Sequence, residues 1–370
     1  MGFAVSEPVG NGFAGTLFRT NPDILMQNDP IDLVDGFGRR HHRLRISVTD
    51  RCNLRCTYCM PAEGAEFVPR STLLTFEEIT SVTELLVRRT GLDGVRLTGG
   101  EPLVRRDLPR LVAMLSAIEG LDRLSMTTNG ILLPAVASEL REAGLRGVNI
   151  SIDSLDRQRF EQLTRRDHLD QTLAGIHAAI AAGLRVKLNA LAIAGVTEHE
   201  AVDLVRFAID RGVPMRFIEF MPLDADGRWM AGSVLSGDDL LDGLRQAFDR
   251  VVATGRPEPS SPSETFEVTD RPRQHGQPGR STTVGIIRSV TRPFCGACNR
   301  LRLTADGAMR NCLFSTTETP LRDLLRGGAP EEEILRRVVE CVAGKAAAHG
   351  GEGGDAGFAQ TPRAMYSIGG

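Results

Sequence analysis

The chain has 370 residues, 41% of them hydrophobic, enough to bury a large core as two or three domains or as one barrel with an extension. Its 44 basic and 47 acidic residues leave a formal charge of −3, which provides no global attraction for nucleic acid, so an anionic ligand has to be met by local arginines. No apolar run approaches the ~18 residues of a membrane span, and the first forty residues lack a basic start followed by an apolar core, so neither membrane nor export is expected and the cytoplasm is the default.

Residues 1–40 show little periodicity and are expected to form an N-terminal extension, partly flexible at its start. From there strand-like and helix-like patterns alternate. Leu44-Arg45-Ile46-Ser47-Val48 alternates apolar and polar and predicts a first strand over 43–49. A helix over 75–89 follows, with Thr75 as N-cap and Glu78 closing a capping box. Strands are predicted at 95–98, 124–128, 148–152, 186–193 and 216–220, each followed by a helical pattern. Six strand–helix units in succession imply a parallel sheet with right-handed crossovers, and periodicity alone fits a partial barrel or a doubly wound sheet. Polar and Gly-rich clusters stand at the strand ends: Asp50-Arg51-Cys52, Gly99-Gly100-Glu101, Thr127-Thr128-Asn129, Asp153-Ser154 and Met221-Pro222. In βα barrels chemistry gathers at that face. A helix reaches about Phe248, residues 256–280 read as a Pro-, Ser- and Gly-rich loop, and Thr283-Val284-Gly285-Ile286-Ile287 opens the last part. The expected division is an extension at 1–40, a barrel at 41–232 and a C-terminal region at 233–370.

Six of the seven cysteines fall in two tight groups, which favours metal over a disulfide framework. Cys52, Cys56 and Cys59 follow the first strand as Cys-x3-Cys-x2-Cys, and Cys295, Cys298 and Cys312 form Cys-x2-Cys-x13-Cys. A structural zinc site is closed by four ligands, and each group supplies three. A cubane of four irons held by three cysteines keeps one iron open. Two such tripods favour two iron-sulfur clusters, the other class of reading being a zinc-stabilised binding module. Cys341 is expected to be a small core residue. Cations placed on strands carry further information. Arg45, Arg96 and Lys187 can be aimed inward by strand alternation, and a buried charge there is costly without an anion to meet it. No Walker-type loop is present, so any phosphate ligand would have to be met by side chains. Of the 44 basic residues only Lys187 and Lys345 are lysines.

The first cysteine motif, with Tyr58 in its aromatic slot, resembles the signature of radical S-adenosylmethionine (SAM) enzymes. The second, within Cys298-Asn299-Arg300-Leu301-Arg302-Leu303-Thr304-Ala305-Asp306-Gly307, together with the terminal Gly369-Gly370, is similar to the GTP 3′,8-cyclases of molybdenum cofactor biosynthesis over residues 40–370. The resemblance implies an α/β fold, an incomplete (βα)6 barrel whose C-terminal extension carries the second cluster. It implies two [4Fe-4S] clusters and SAM as cofactors. It assigns Cys52, Cys56 and Cys59 to the SAM-activating cluster, Cys295, Cys298 and Cys312 to the second, Tyr58, Gly100, Ser151 and Met221 to SAM, and Gly369 and Gly370 to a tail that enters the site. Arg45, Arg96, Thr127, Lys187, Arg300, Leu301 and Arg302 match the family's GTP positions. Glycines in Gly99-Gly100-Glu101 would let the backbone approach SAM while the carboxylate receives its ammonium. The implied reaction is reductive SAM cleavage to a 5′-deoxyadenosyl radical that takes hydrogen from C3′ of GTP, then C3′–C8 bond formation to 3′,8-cyclo-7,8-dihydro-GTP, a lyase-class step. It also implies an electron donor, a downstream cyclic pyranopterin monophosphate synthase and, since the family is often dimeric, a homodimer. A peptide-modifying radical SAM enzyme with an auxiliary cluster is the alternative enzyme class.

Overall fold

The computed structural model describes residues 30–227, 229–271, 279–349, 361 and 363–369. Six strands, β1 (Arg43–Ser47), β2 (Gly94–Thr98), β3 (Arg123–Thr128), β4 (Gly147–Ser151), β5 (Arg185–Ala192) and β6 (Met215–Glu219), pair parallel in sequence order. A doubly wound sheet reverses its order at a switch point. Here each strand is added on the same side as the one before, which is the single winding of a βα barrel.

Alternation within these strands builds the core. Leu44, Ile46, Val95, Leu97, Leu124, Met126, Val148, Ile150, Val186, Leu188, Met215 and Phe217 are buried in one continuous cluster with helix residues such as Ile79, Leu111, Leu140, Ile176 and Leu204. The other face of the same strands carries Arg45, Arg96, Ser125, Thr127, Asn149, Ser151, Lys187, Asn189 and Arg216. That inner face is polar, so the barrel is built to hold a ligand rather than to be filled by its own side chains. The surrounding helices start and stop as their sequences require. Phe76–Thr90 has the expected capping box, in which Glu78 N–H donates to Thr75 Oγ1 at 3.1 Å and Thr75 N–H donates to Glu78 Oε2 at 2.7 Å.

β1 and β6 do not pair with each other. Among the described residues, the C-terminal region flanks them with β9 (Ser281–Ile287), parallel to β6, and β10 (Arg300–Leu303), parallel to β1. Outside β9 run β8 (Glu264–Thr269) and β7 (Arg250–Gly255), both antiparallel, and outside β10 run β11 (Ala308–Arg310) and β12 (Thr319–Pro320). One sheet therefore runs through the expected boundary at 232. β8 corrects the reading of 256–280 as loop: Phe266 and Val268 alternate inward as strand residues, and the Pro-, Ser- and Gly-rich flanks hid that period.

Residues 30–40, the end of the expected extension, pack against the barrel. Leu33 packs into the core, and buried Asp35 accepts from Arg39 Nε at 2.6 Å and from His41 Nε2 at 2.9 Å. The start of that extension, 1–29, for which partial flexibility was expected, lies outside the described residues. Among the described residues no helix is long and apolar enough to cross a membrane.

Candidate active site

Cys52, Cys56 and Cys59 lie on the loop after β1. Arg55 N–H donates to Thr164 O at 3.0 Å, Thr57 N–H donates to Leu163 O at 2.9 Å, and a turn closes with Cys59 N–H on Cys56 O at 3.0 Å. The three half-buried thiols resist ionisation. Burial, then Glu101, pushes Cys52 up to about 11; burial, then Cys52, pushes Cys59 up to about 12; burial, then Cys59 and Cys52, pushes Cys56 well up. Three thiols that repel one another's charge suit a cationic iron core, which offsets it.

Acidic groups and close backbone surround this tripod. Burial raises Glu101 to about 7 although Asn129 N–H (2.7 Å), Thr128 Oγ1 (2.7 Å) and Leu103 N–H (3.1 Å) all donate to it. Tyr58 donates its hydroxyl to Asp153 Oδ2 at 2.5 Å, and Leu191 N–H donates to Asp153 Oδ1 at 2.8 Å. Gly100 has no room for a side chain: a Cβ would lie 2.5 Å from Arg51 O. Ser151 ends β4 beside Asn189, whose Oδ1 is buried without a hydrogen-bond partner. Sequence reading missed Asn189; a polar residue at the inward phase of an apolar strand was the available signal.

The second tripod opens into a cavity walled in part by Arg39, Arg45, Arg300, Arg302, Lys345 and His349, with about 970 Å³ of space that includes its opening to solvent. Here the electrostatics have the opposite sign. Burial alone would raise Cys298, yet Arg300 and then Lys345 outweigh it and bring the thiol down to about 6, and Cys312 is lowered too, burial being outweighed by His349 and Phe314 N–H. Thiolates form readily in such a field, which fits this tripod to an iron cluster as well. Cys341 stands apart, buried in helix Glu331–Ala343 with Sγ 3.7 Å from Met309 O, a core residue as expected.

Register explains the positive field. Arg302 on β10, Arg45 on β1 and Arg96 on β2 are direct cross-strand partners, so three guanidinium groups share one row on the inner face. Thr127 and Lys187 stand on either side of Asn149 in another row. Arg216 on β6, which sequence reading missed, completes the ring. Burial and then Arg216 lower Arg96 to about 10 and Lys187 to about 8, while burial and then Arg302 drive Arg45 well down. The signal for Arg216 was the one used for its neighbours, a cation at the inward phase of a barrel strand. Arg300 lies over the Phe294 ring at 4.6 Å, and its Nη2 is buried without a partner. An orphaned buried donor beside like charges calls for an anion. Leu301 is fully buried on the opposite face of β10, so only its backbone can meet a ligand. Met221, which the resemblance assigned to SAM, lines this second cavity.

The C-terminal tail runs between the tripods. Arg363 ties it to Asp306 (2.8 Å) and Glu318 (2.7 Å), Tyr366 N–H donates to the Cys59 thiol, and Arg302 donates to Gly369 O. Gly369 has φ +71°, and a Cβ there would collide with Thr98 Oγ1. Gly370 lies outside the described residues.

Comparison with known proteins agrees with this layout. The family model of the Radical SAM superfamily matches residues 46–208, and that of Molybdenum Cofactor Synthesis C matches 213–351. The GTP 3′,8-cyclase of Rhodopirellula baltica is 56% identical over 92% of this chain and 93% of its own length. That of Mycolicibacterium smegmatis is 45% identical over 91% and 92%. Among solved structures, Streptococcus suis SuiB bound to S-adenosylmethionine superposes with a TM-score of 0.54 at 14% identity, covering 80% of this chain and 68% of that one, a likeness of fold. By its sequence over nine-tenths of its length, the chain belongs to the GTP 3′,8-cyclase family of radical SAM proteins.

Proposed function

We infer that this chain is a GTP 3′,8-cyclase whose two cysteine tripods are separated by charge. The observation that carries the reading is the opposition of fields inside one barrel. Carboxyl groups of Glu101 and Asp153 act on the first tripod, where Arg55 partly offsets them, while Arg45, Arg300 and Arg302 line the cavity of the second and Arg96, Lys187 and Arg216 stand on the same inner face of the barrel. SAM carries a sulfonium and an ammonium and is suited to the first; a triphosphate is suited to the second.

Cys52, Cys56 and Cys59 would hold one [4Fe-4S] cluster and Cys295, Cys298 and Cys312 the other. When bound, the clusters and SAM supply the one-electron chemistry. The chain's own groups bind, orient and keep the site dry. Glu101 keeps lone-pair capacity for the SAM ammonium, Gly100 presents bare backbone, Ser151 and Asn189 offer hydroxyl-binding atoms, and Met221 adds an apolar contact. Arg45, Arg96, Lys187 and Arg216 take the phosphates, with Thr127 as a hydroxyl donor. Arg300, Arg302 and the backbone of Leu301 hold the nucleoside end near the second tripod. Gly369 would reach the gap between the two ligands. A nucleotide held at both ends in this way would have its ribose between the two sites, as hydrogen abstraction from C3′ and bonding to C8 of its own base require. An electron donor, a cyclic pyranopterin monophosphate synthase that consumes the product, a homodimer, a cytoplasmic location and the lyase class go with the same reading.

The test is anaerobic reconstitution with iron and sulfide, followed by SAM, dithionite and GTP, with 5′-deoxyadenosine and cyclised nucleotide assayed together. Both products, dependent on GTP, are expected. SAM cleavage with GTP untouched would keep the first site and overturn the substrate.

A further inference from the structure

The segment after helix Glu331–Ala343 is fastened residue by residue across the mouth of the second tripod. Lys345 Nζ donates to Arg300 O at 3.1 Å and to Asn311 O. Arg39 donates to Ala346 O and Ala347 O, both at 2.7 Å, and the same guanidinium donates to Cys295 O at 2.8 Å. His349 ends the segment and is fixed on three sides. Its Nε2 is 3.1 Å from Ser289 O, its Nδ1 is 3.1 Å from Cys295 Sγ, and its ring stacks on Phe314 with centroids 4.3 Å apart and planes at 22°. The ring also reaches Cys312. Ser289 is itself braced, its Oγ donating to Glu219 O at 2.9 Å, while Val290 and Thr291 N–H donate to the Glu219 carboxylate at 2.9 and 2.8 Å.

A carbonyl oxygen only accepts, so Nε2 carries its proton. Cys295 as a cluster ligand is a thiolate, which also only accepts, so Nδ1 must bring a proton to it, and the ring, protonated at both nitrogens, is an imidazolium whose charge is lost with the N–H in a Phe variant. We propose that His349 is a positioning residue of the second cluster, donating Nδ1–H to the ligand sulfur of Cys295 and thereby raising that cluster's reduction potential. Hydrogen bonds to cysteinyl sulfur draw electron density from the iron core and favour the reduced form. At the first tripod the donors near the sulfurs are the backbone N–H groups of Asn53, Leu54 (3.4 Å from Cys52 Sγ) and Tyr366 and the hydroxyl of Tyr58, none of them an imidazole.

The proposal rests on the two-cluster reading, and the test separates them. Reconstituted full-length enzyme is titrated with dithionite under EPR, the first cluster being identified by its response to SAM and the second by its response to GTP. In His349→Phe, which keeps the stack and removes the N–H, the GTP-responsive cluster is expected at a lower potential than in the parent, with the SAM-responsive cluster unmoved. His349→Gln, which restores a neutral donor, is expected between the two. An unchanged potential in the Phe protein, a Gln protein no different from it, or an equal shift of both clusters would overturn the proposal. So would loss of the second cluster from both variants, since His349 would then hold the cluster rather than tune it. A parent protein that loads one cluster only, or shows no response to GTP, would instead sink the two-cluster reading.

Discussion

Arg216 shows how a single side chain can be unfavourable in the free protein and useful in the complex. Its guanidinium is lowered by burial, and it in turn depresses Arg96 and Lys187. Arg216→Gln is expected to weaken GTP binding roughly 10- to 100-fold, the range for losing one hydrogen bond to a charged group at ~1.5–3 kcal/mol. The nucleotide-free variant should melt no lower than the parent, because a like-charge repulsion has been removed. Isothermal titration with GTP and a melting curve without it check both halves. Lys187 adds a pH dependence. Burial, then Arg216 and Arg96, lower it to about 8 from its ordinary 10.5. Its positive charge is therefore lost as pH rises through about 8, and kcat/KM for GTP should fall there. Stability moves the other way: between about 8 and 10.5 the unfolded chain binds the proton that the folded chain has released, so this group favours folding more as pH rises. Lys187→Arg should abolish the fall in kcat/KM near pH 8; a profile unchanged by the substitution would count against Lys187 as a phosphate contact.

At the scale of elements, a short cap and a short tail do different kinds of work. Thr75 begins helix Phe76–Thr90 by accepting from Glu78 N–H. Thr75→Ala should lower stability by about 1 kcal/mol in denaturant unfolding and leave cluster loading and turnover intact, since the cap is remote from both tripods. The tail acts on function instead. Gly369→Ala places a methyl group against Thr98 Oγ1 at a backbone conformation that L side chains rarely adopt. Both clusters should load, as judged by iron and sulfide content, while cyclised product falls sharply, because the Gly369 carbonyl can no longer sit on Arg302. Thr98→Ala in the same chain should recover part of the loss by removing the atom the methyl meets.

In the whole molecule, Arg39 ties segments far apart in sequence into one frame. Its guanidinium joins buried Asp35 to the carbonyls of Cys295, Ala346 and Ala347. Arg39→Met leaves Asp35 buried with His41 and the backbone N–H groups of Phe37 and residue 39 as its remaining partners, at a cost of ~1–3 kcal/mol for the lost charged hydrogen bond. Iron content should drop towards that of one cluster, with the SAM-responsive EPR signal retained. Local spacing is enough for the six βα units, the capped helix, the two cysteine tripods and the inward phase of Arg45, Arg96 and Lys187: period two for strands, period 3.6 for helices, fixed intervals between thiols; Arg300 and Arg302 came from the family resemblance. Arg216 and Asn189 offered the same signal, an inward phase on a barrel strand, whereas His349 and Arg39 offered none. A polar residue on a strand announces its phase but not which neighbours share its row, and register comes only from pairing strands distant in the chain, as Arg45 does with Arg302 across more than two hundred residues. The strand inside 256–280 was masked by its flanks until β7 and β9 paired with it. The opposed fields of the two sites, too, were decided only by the tertiary structure, since they are sums over side chains that the folded sheet alone brings within reach of one another.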